Sequence, residues 1–209
     1  MLKKIFGRLK LAKALQQNDP LLLLKAIRSG EDLNQPLSLN KDSDIADELS
    51  PIEHCLGLQH PECLQKLLES GAQLPLQHRD GRLLLVHAIE AKQHSLSLLT
   101  LLLQAGTDAN AQHGEALFAC LCVDNENQQL LLINRLIEHG ADINRHRRLE
   151  KRLLDQLMLE ERMMVVGVLI SAGAELSDKL DQLSCSDELK QFARRKTQDL
   201  AVQRQLLGS

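Results

Sequence analysis

The segment SPIEHCLGLQHPECLQKLLESGAQLP (50–75) decides the fold of this chain. It contains two short apolar stretches separated by a polar break, and Pro61 opens the second stretch. Proline suits the first turn of a helix, where its missing N–H is not needed. A pair of leucines near the end of the segment is followed by Gly71, and glycine there favours the left-handed conformation that closes a helix. We therefore predict two helices joined by a turn.

The end of this segment recurs along the chain. The recurring phrases are AIRSGEDLN (26–34), LLESGAQLP (67–75), LLQAGTDAN (102–110), LIEHGADIN (136–144) and LISAGAELS (169–177). Their glycines stand at positions 30, 71, 106, 140 and 173, so the spacings of 41, 35, 34 and 33 residues converge on a constant period. A period in this range predicts an array of stacked helix pairs, in which each pair buries the apolar face of its neighbour.

Segment 50–75 closely resembles an ankyrin repeat, which opens with Thr-Pro-Leu-His and ends its outer helix with Leu-Leu-x-x-Gly-Ala-Asp before a hairpin loop. The resemblance implies an all-α ankyrin-repeat solenoid of stacked helix-turn-helix pairs with hairpin-loop fingers, in a single domain over residues 1–209. The implied repeats lie at about 10–34, 50–75, 83–110, 115–144 and 152–177, and the implied C-terminal cap lies at 178–209.

The opening tetrapeptide of the repeats departs from the family pattern. Ser50 and Pro51 keep its first half, whereas the later repeats read LLLV (83–86), EALF (115–118) and RLLD (152–155). We therefore expect the histidine hydrogen-bond network of the family to be missing from this chain.

Composition argues against several classes of function. The 25 Lys and Arg residues against 28 Asp and Glu give a formal charge of −3, so no global basic field attracts nucleic acid. The three aromatic residues are too few to build a stacking platform for RNA or single strands. Five scattered cysteines are typical of reduced thiols, and neither a secretory signal nor a long uncharged apolar run is present. We predict a cytoplasmic protein that binds no nucleic acid.

The densest group of metal-ligating residue types is His54, Cys55, His60 and Cys63, which together could bind zinc. In the ankyrin alignment both cysteines occupy core positions and His60 lies in the turn between helices. We therefore favour a structural role and predict no metal and no cofactor. Serine-hydrolase elbows, His-Glu-x-x-His motifs and phosphate-binding glycine loops are absent from the sequence, so we predict no enzymatic activity.

The N-terminal residues have a basic amphipathic pattern. Lysines and Arg8 surround the apolar residues Leu2, Ile5, Phe6 and Leu9 at helical spacing. A helix of this kind over residues 2–15 can anchor a peripheral membrane protein, and it can equally cover the exposed end of a solenoid. We favour the cap, because the apolar pattern continues directly into the first repeat, and we keep membrane contact as the alternative.

The resemblance implies that a protein partner binds the concave face, which the inner helices and loops line. Carried over residue by residue, the ends of the inner helices present Leu58, Ala91, Val123 and Leu159. If these residues are exposed, they form an apolar stripe of the kind that marks an interface. If the extra residues at the turns shift the register, some of them belong to the core instead.

The loop fingers change charge along the chain. The first finger, QPLSLNKDSDIADEL (35–49), is acidic, whereas a later finger carries Arg79 and Arg82 and the last one carries Arg145, Arg147 and Arg148. A dense group of cations steers a partner that has an acidic patch, although many such runs are simply solvated. We predict that these arginines contact a protein partner with an acidic patch. The chain would then act as an adaptor, a regulator, or a dedicated inhibitor or chaperone.

Overall fold

The computed structural model describes residues 10–39, 48–144 and 152–207. Its helices are α1 (10–16), α2 (Pro20–Arg28), α3 (Pro51–Leu58), α4 (Pro61–Glu69), α5 (Leu84–Glu90), α6 (Ser95–Gln104), α7 (Ala111–Ala119), α8 (Glu126–Glu138), α9 (Leu153–Leu159), α10 (Met163–Ser171) and α11 (Asp187–Leu207). Short 3-10 turns lie at Cys120–Cys122 and Leu180–Gln182. Over these ranges the chain forms no strand beyond an isolated antiparallel bridge between Leu37 and Leu49. The all-α prediction is confirmed.

Helix starts follow from local sequence. Proline occupies the first position of α2, α3 and α4, where it costs no hydrogen bond. The Asp19 carboxylate precedes α2 and accepts the N–H groups of Leu21 and Leu22 at 3.0 and 2.9 Å. Ser50 and Glu53 form a capping box at α3: the Ser50 hydroxyl accepts the Glu53 N–H at 3.3 Å, and the Glu53 carboxylate accepts the Ser50 N–H at 2.8 Å.

The repeated glycines close the outer helices, as predicted. All five have positive φ, between +82° and +102°. Gly71 shows the arrangement in full: its N–H donates to the Leu68 carbonyl at 3.1 Å, and the following Ala72 N–H donates to the Leu67 carbonyl at 3.0 Å. These bonds satisfy two carbonyls at the helix end, and they require a left-handed residue between them.

The chain divides into two compact units, and Met1–Asp108 is the first. In it the outer helices stack in the order α2, α4, α6, and the inner helices α3 and α5 pack side by side. The small residues Ala14, Cys55 and Ala88 are fully buried on the inner helices α1, α3 and α5. Small side chains at these positions let neighbouring helices approach closely, so each helix pair buries the face of the next.

The second unit is Ala109–Ser209. Here α8 packs against α10, and α10 in turn packs against α9 and α11. The long helix α11 buries Leu189 and Ala193, and a Cβ built at Gly167 of α10 would lie 3.1 Å from Phe192 Cζ of α11. Gly167 therefore permits the close packing of α11 on α10. In α7 the backbone leaves the helical conformation at residues 112–114 and returns to it at residue 115.

Candidate functional site

The loop between α4 and α5 forms a tight finger over residues 76–82, named here the second finger. The His78 N–H donates to the Arg82 carbonyl at 2.9 Å, and the Gly81 N–H donates to the His78 carbonyl at 2.8 Å. Gly81 has φ +84°, which suits glycine, and the Arg82 N–H donates to Asp80 Oδ1 at 3.0 Å. The finger is therefore held closed by its own backbone.

Glu53 of α3 is hydrogen-bonded to the backbone of this finger. Its Oε1 accepts the Arg79 N–H at 2.7 Å, while Oε2 accepts the Ser50 N–H at 2.8 Å. Burial by itself raises the pKa of Glu53, but the hydrogen bonds from Ser50 and Arg79 outweigh burial and lower that pKa below its ordinary value. Glu53 stands fourth in the opening tetrapeptide, where the ankyrin resemblance implies histidine. A carboxylate therefore links this repeat to the next loop.

Both predicted arginines of the second finger are exposed, and both are engaged. Arg79 Nη1 donates to the Glu48 carbonyl at 2.5 Å, and the Arg82 guanidinium pairs with Glu90. The charge of Arg82 is therefore paired with a carboxylate of the same chain, and the Arg79 guanidinium is held by a backbone carbonyl. The other predicted arginines, Arg145, Arg147 and Arg148, lie outside the described residues.

The predicted apolar positions differ in exposure. Leu58 and Leu159, which end α3 and α9, are 38% and 44% exposed, and Val123 is half-buried. Ala91 is only 8% exposed, so the expectation that it adds exposed apolar surface is wrong. The helix α5 ends at Glu90, and Ala91 continues in extended conformation with φ −61° and ψ 130°. Its side chain therefore does not belong to the helical face on which the apolar stripe was predicted.

Leu76 at the start of the second finger was missed by the sequence analysis. Its side chain is 96% exposed, more than any other large apolar residue among those described. Helical periodicity cannot single out a loop leucine, because no neighbours at helical spacing define a face for it. The available signal was an apolar residue in a stretch otherwise made of turn-forming and polar residues.

The two histidines considered as zinc ligands each contact a different backbone carbonyl, and the two cysteines are buried. His54 Nε2 lies 2.7 Å from the Leu37 carbonyl, and His60 Nδ1 lies 2.8 Å from the Leu15 carbonyl. Cys55 and Cys63 are fully buried. Burial raises the pKa of the Cys63 thiol to about 11 and that of Cys55 well above its ordinary value, which favours neutral thiols over metal-binding thiolates.

The described part of the N-terminal segment is packed into the first unit. Leu11 is 1% exposed, and Ala14 and Leu15 are fully buried. Residues 2–9 of the predicted amphipathic helix lie outside the described residues. In the ranges that the structure describes, no helix has the length and apolar character needed to cross a membrane.

Two curated relatives, from Pongo abelii and Homo sapiens, are each named ankyrin repeat and SOCS box protein 6. Each is 27% identical to this chain over 198 residues, which covers 82% of the chain and 44% of the relative. A solved ankyrin repeat protein matches 90% of this chain and 95% of its own length, with a TM-score of 0.61 and 17% identity. The chain folds as an ankyrin repeat protein. No family model matches it. The chain spans less than half the length of the curated relatives that it matches.

Proposed function

We propose that this ankyrin repeat chain is a non-catalytic interaction module that binds a protein partner through its fingers and the exposed ends of its inner helices. One observation carries the proposal: Leu76 is 96% exposed, two residues before the hydrogen-bonded turn that closes its finger. Transfer of apolar surface out of water gains about 25 cal/mol per Å². A partner that covers Leu76 would recover this free energy.

The rigidity of the second finger supports the same role. Backbone hydrogen bonds between His78 and Arg82 close it, and Glu53 accepts a further hydrogen bond from the Arg79 N–H. All of these bonds are present before any partner binds. A contact loop that is already ordered loses little conformational entropy on association, so more of the contact energy appears as affinity. Leu58, which ends α3 in the same unit, offers further exposed apolar surface.

The arginines adjust the choice of partner rather than supply the main binding energy. Arg82 pairs with Glu90 on the surface, and exposed ion pairs of this kind contribute about 0 to 1 kcal/mol. Arg82 can therefore exchange Glu90 for an acidic group of a partner at little cost. We extend the same role to Arg145, Arg147 and Arg148, which would favour a partner with an acidic patch. The chain would act as an adaptor, a regulator or a dedicated inhibitor of that partner.

The test compares Leu76→Ser with Leu131→Ser. Leu131 is the matched control, because it is 54% exposed on the outer helix α8. The wild-type 209-residue chain and both variants, with equal helicity by circular dichroism, are used to capture partners from native lysate for quantitative mass spectrometry. We expect one protein to fall about tenfold with Leu76→Ser and to remain with Leu131→Ser, as at an interface centre.

Binding of the purified partner is then measured with each variant by calorimetry. Equal affinity for Leu76→Ser and wild type would contradict the proposed surface. Capture of no protein above the level of bare resin would contradict the interaction function itself.

The charge hypothesis has a separate test in the triple variant Arg145→Glu, Arg147→Glu and Arg148→Glu. We expect a slower association rate with the same partner, and a smaller dependence of that rate on salt. Unchanged association kinetics at low ionic strength would exclude these arginines from partner recognition.

A further inference from the structure

Three side chains meet where the second finger lies against α5. His78 Nδ1 is 3.0 Å from Asp80 Oδ1, and His87 Nε2 is 3.0 Å from Asp80 Oδ2. The three ligand atoms lie within 4.8 Å of one another, and the two imidazole rings have centroids 4.0 Å apart and planes tilted by 35°. We propose that His78, Asp80 and His87 bind a divalent transition-metal ion of the zinc class, which ties the second finger to α5.

The donor set fits this class of metal. Two imidazoles and one carboxylate suit zinc, cobalt and nickel, whereas calcium and magnesium prefer oxygen ligands alone. Bonds of about 2.0 Å in a tetrahedron place ligand atoms about 3.3 Å apart. The Asp80 Oδ1 atom fits that spacing, because it lies 3.0 Å from His78 Nδ1 and 3.2 Å from His87 Nε2. Three protein ligands leave a fourth position for water or a partner's side chain.

The contacts of Asp80 with the two histidines each need a cation between their atoms. His78 Nδ1 and His87 Nε2 each lie 3.0 Å from an Asp80 oxygen. A carboxylate oxygen only accepts, and an imidazole nitrogen donates only when it carries a proton. Two acceptor atoms this close repel each other unless a proton or a metal ion lies between them. A metal ion that replaces these protons would receive the nitrogen lone pairs and the carboxylate at once.

The ligands sit on parts of the chain that are already ordered. His87 lies in the last turn of α5, while His78 and Asp80 lie in the finger that backbone bonds close. The Arg82 N–H donates to Asp80 Oδ1 at 3.0 Å, which orients the carboxylate as outer-shell hydrogen bonds do at metal sites. Glu53 lies close enough to His78 to interact with it electrostatically, and its negative charge also favours a bound cation.

An ion can reach this site from solvent. The side chains of His78 and His87 are 15% and 22% exposed, and that of Asp80 is 42% exposed. The proposal departs from the sequence-based expectation of no metal. The ligand pattern His-x-Asp-x6-His divides its residues between a loop and a helix, so their convergence depends on the fold of the finger.

The test titrates the chelator-treated 209-residue chain with Zn²⁺ alone at neutral pH in a calorimeter. We expect one ion per chain for wild type, and an affinity at least about tenfold weaker for His87→Gln and Asp80→Asn. Asp80→Asn keeps an amide oxygen to accept the Arg82 N–H, so the finger can stay closed without its carboxylate. The controls are His139→Gln and Cys122→Ser, both at exposed positions, and we expect neither to change the affinity.

Three results would overturn the proposal: no Zn²⁺ binding by wild type, undiminished binding by both Asp80→Asn and His87→Gln, or loss of binding with Cys122→Ser. A second measurement needs no variant. Co²⁺ added to wild type should give the visible bands of a site with nitrogen and oxygen ligands, without sulfur-to-cobalt charge transfer. A charge-transfer band would assign the ion to cysteine and reject this site. Partner capture by chelated protein tests the Leu76 surface independently.

Discussion

Gly71 and Gly57 lie in one repeat but have different backbone conformations. Gly71 ends the outer helix with φ +87°, whereas Gly57 lies inside α3, and a Cβ at either position would meet nothing within 4 Å. The effect of alanine at each site therefore depends on backbone conformation rather than on packing.

We expect Gly71→Ala to destabilise the chain by about 1 kcal/mol, because a side chain disfavours the left-handed conformation. We expect Gly57→Ala to stabilise it by about 0.5 to 1 kcal/mol, because alanine is the better helix former. Urea unfolding followed by circular dichroism measures both changes. Equal signs for the two substitutions would show that backbone conformation does not control these positions.

At the scale of elements, Glu53 joins α3 to the second finger with two oxygens that both accept N–H groups. Glutamine has one acceptor oxygen, so in Glu53→Gln an amide NH2 would face one of these donors. We expect a loss of about 1 to 3 kcal/mol in unfolding free energy, since Glu53 is only 6% exposed. Glu138→Gln, at an exposed residue of α8, is the matched control. A loss as small as that of the control would show that the hydrogen bonds accepted by Glu53 contribute nothing to the unfolding free energy.

A second link between elements joins α3 to the base of the first finger through His54 and Leu37. Burial lowers the pKa of His54 below its ordinary value of 6.5, against the opposing effects of the Leu37 carbonyl and Glu53. As pH falls below 6.5, the unfolded chain takes up this proton before the folded chain does. The contribution of His54 to stability is therefore complete above that pH and is lost as pH falls.

We expect wild type to lose more unfolding free energy than His54→Gln between about pH 7 and about pH 5. Urea unfolding at a series of pH values measures the two slopes. His139→Gln controls for the removal of an exposed histidine and should keep the wild-type slope. Parallel profiles for wild type and His54→Gln would refute the assignment of this pH dependence to His54.

At the scale of the whole molecule, stability in a stacked array is close to a sum over repeats and their nearest-neighbour contacts. Gly71 lies in the first compact unit and Gly140, with φ +82°, lies in the second. Alanine at either position acts on its own helix end, and a Cβ there meets no other residue within 4 Å.

We therefore expect the costs of Gly71→Ala and Gly140→Ala to add within about 0.5 kcal/mol in the double variant. Urea unfolding of the two single variants and the double variant completes the cycle. A coupling above about 1 kcal/mol would mean that the two helix ends do not act independently.

Local sequence determined the helix pairs and the repeat, because the signals that end a helix act over a few residues. Gly71 and Pro61 mark helix boundaries wherever the rest of the chain lies, and their recurrence predicts the array. The ankyrin fold and the burial of Leu15 follow from that pattern, whereas the pattern left open whether Leu58 is exposed.

Tertiary structure alone decided which residues meet across the repeats. The bond from Arg79 to Glu53, the burial of Ala91 and the convergence of His87 on Asp80 each depend on how one repeat lies against its neighbour or on where a helix ends. The helix α5 ends at Glu90, and Ala91, one residue later, is buried. Periodicity defines the face of a helix, but it carries no information about loops or about distances between residues far apart in sequence.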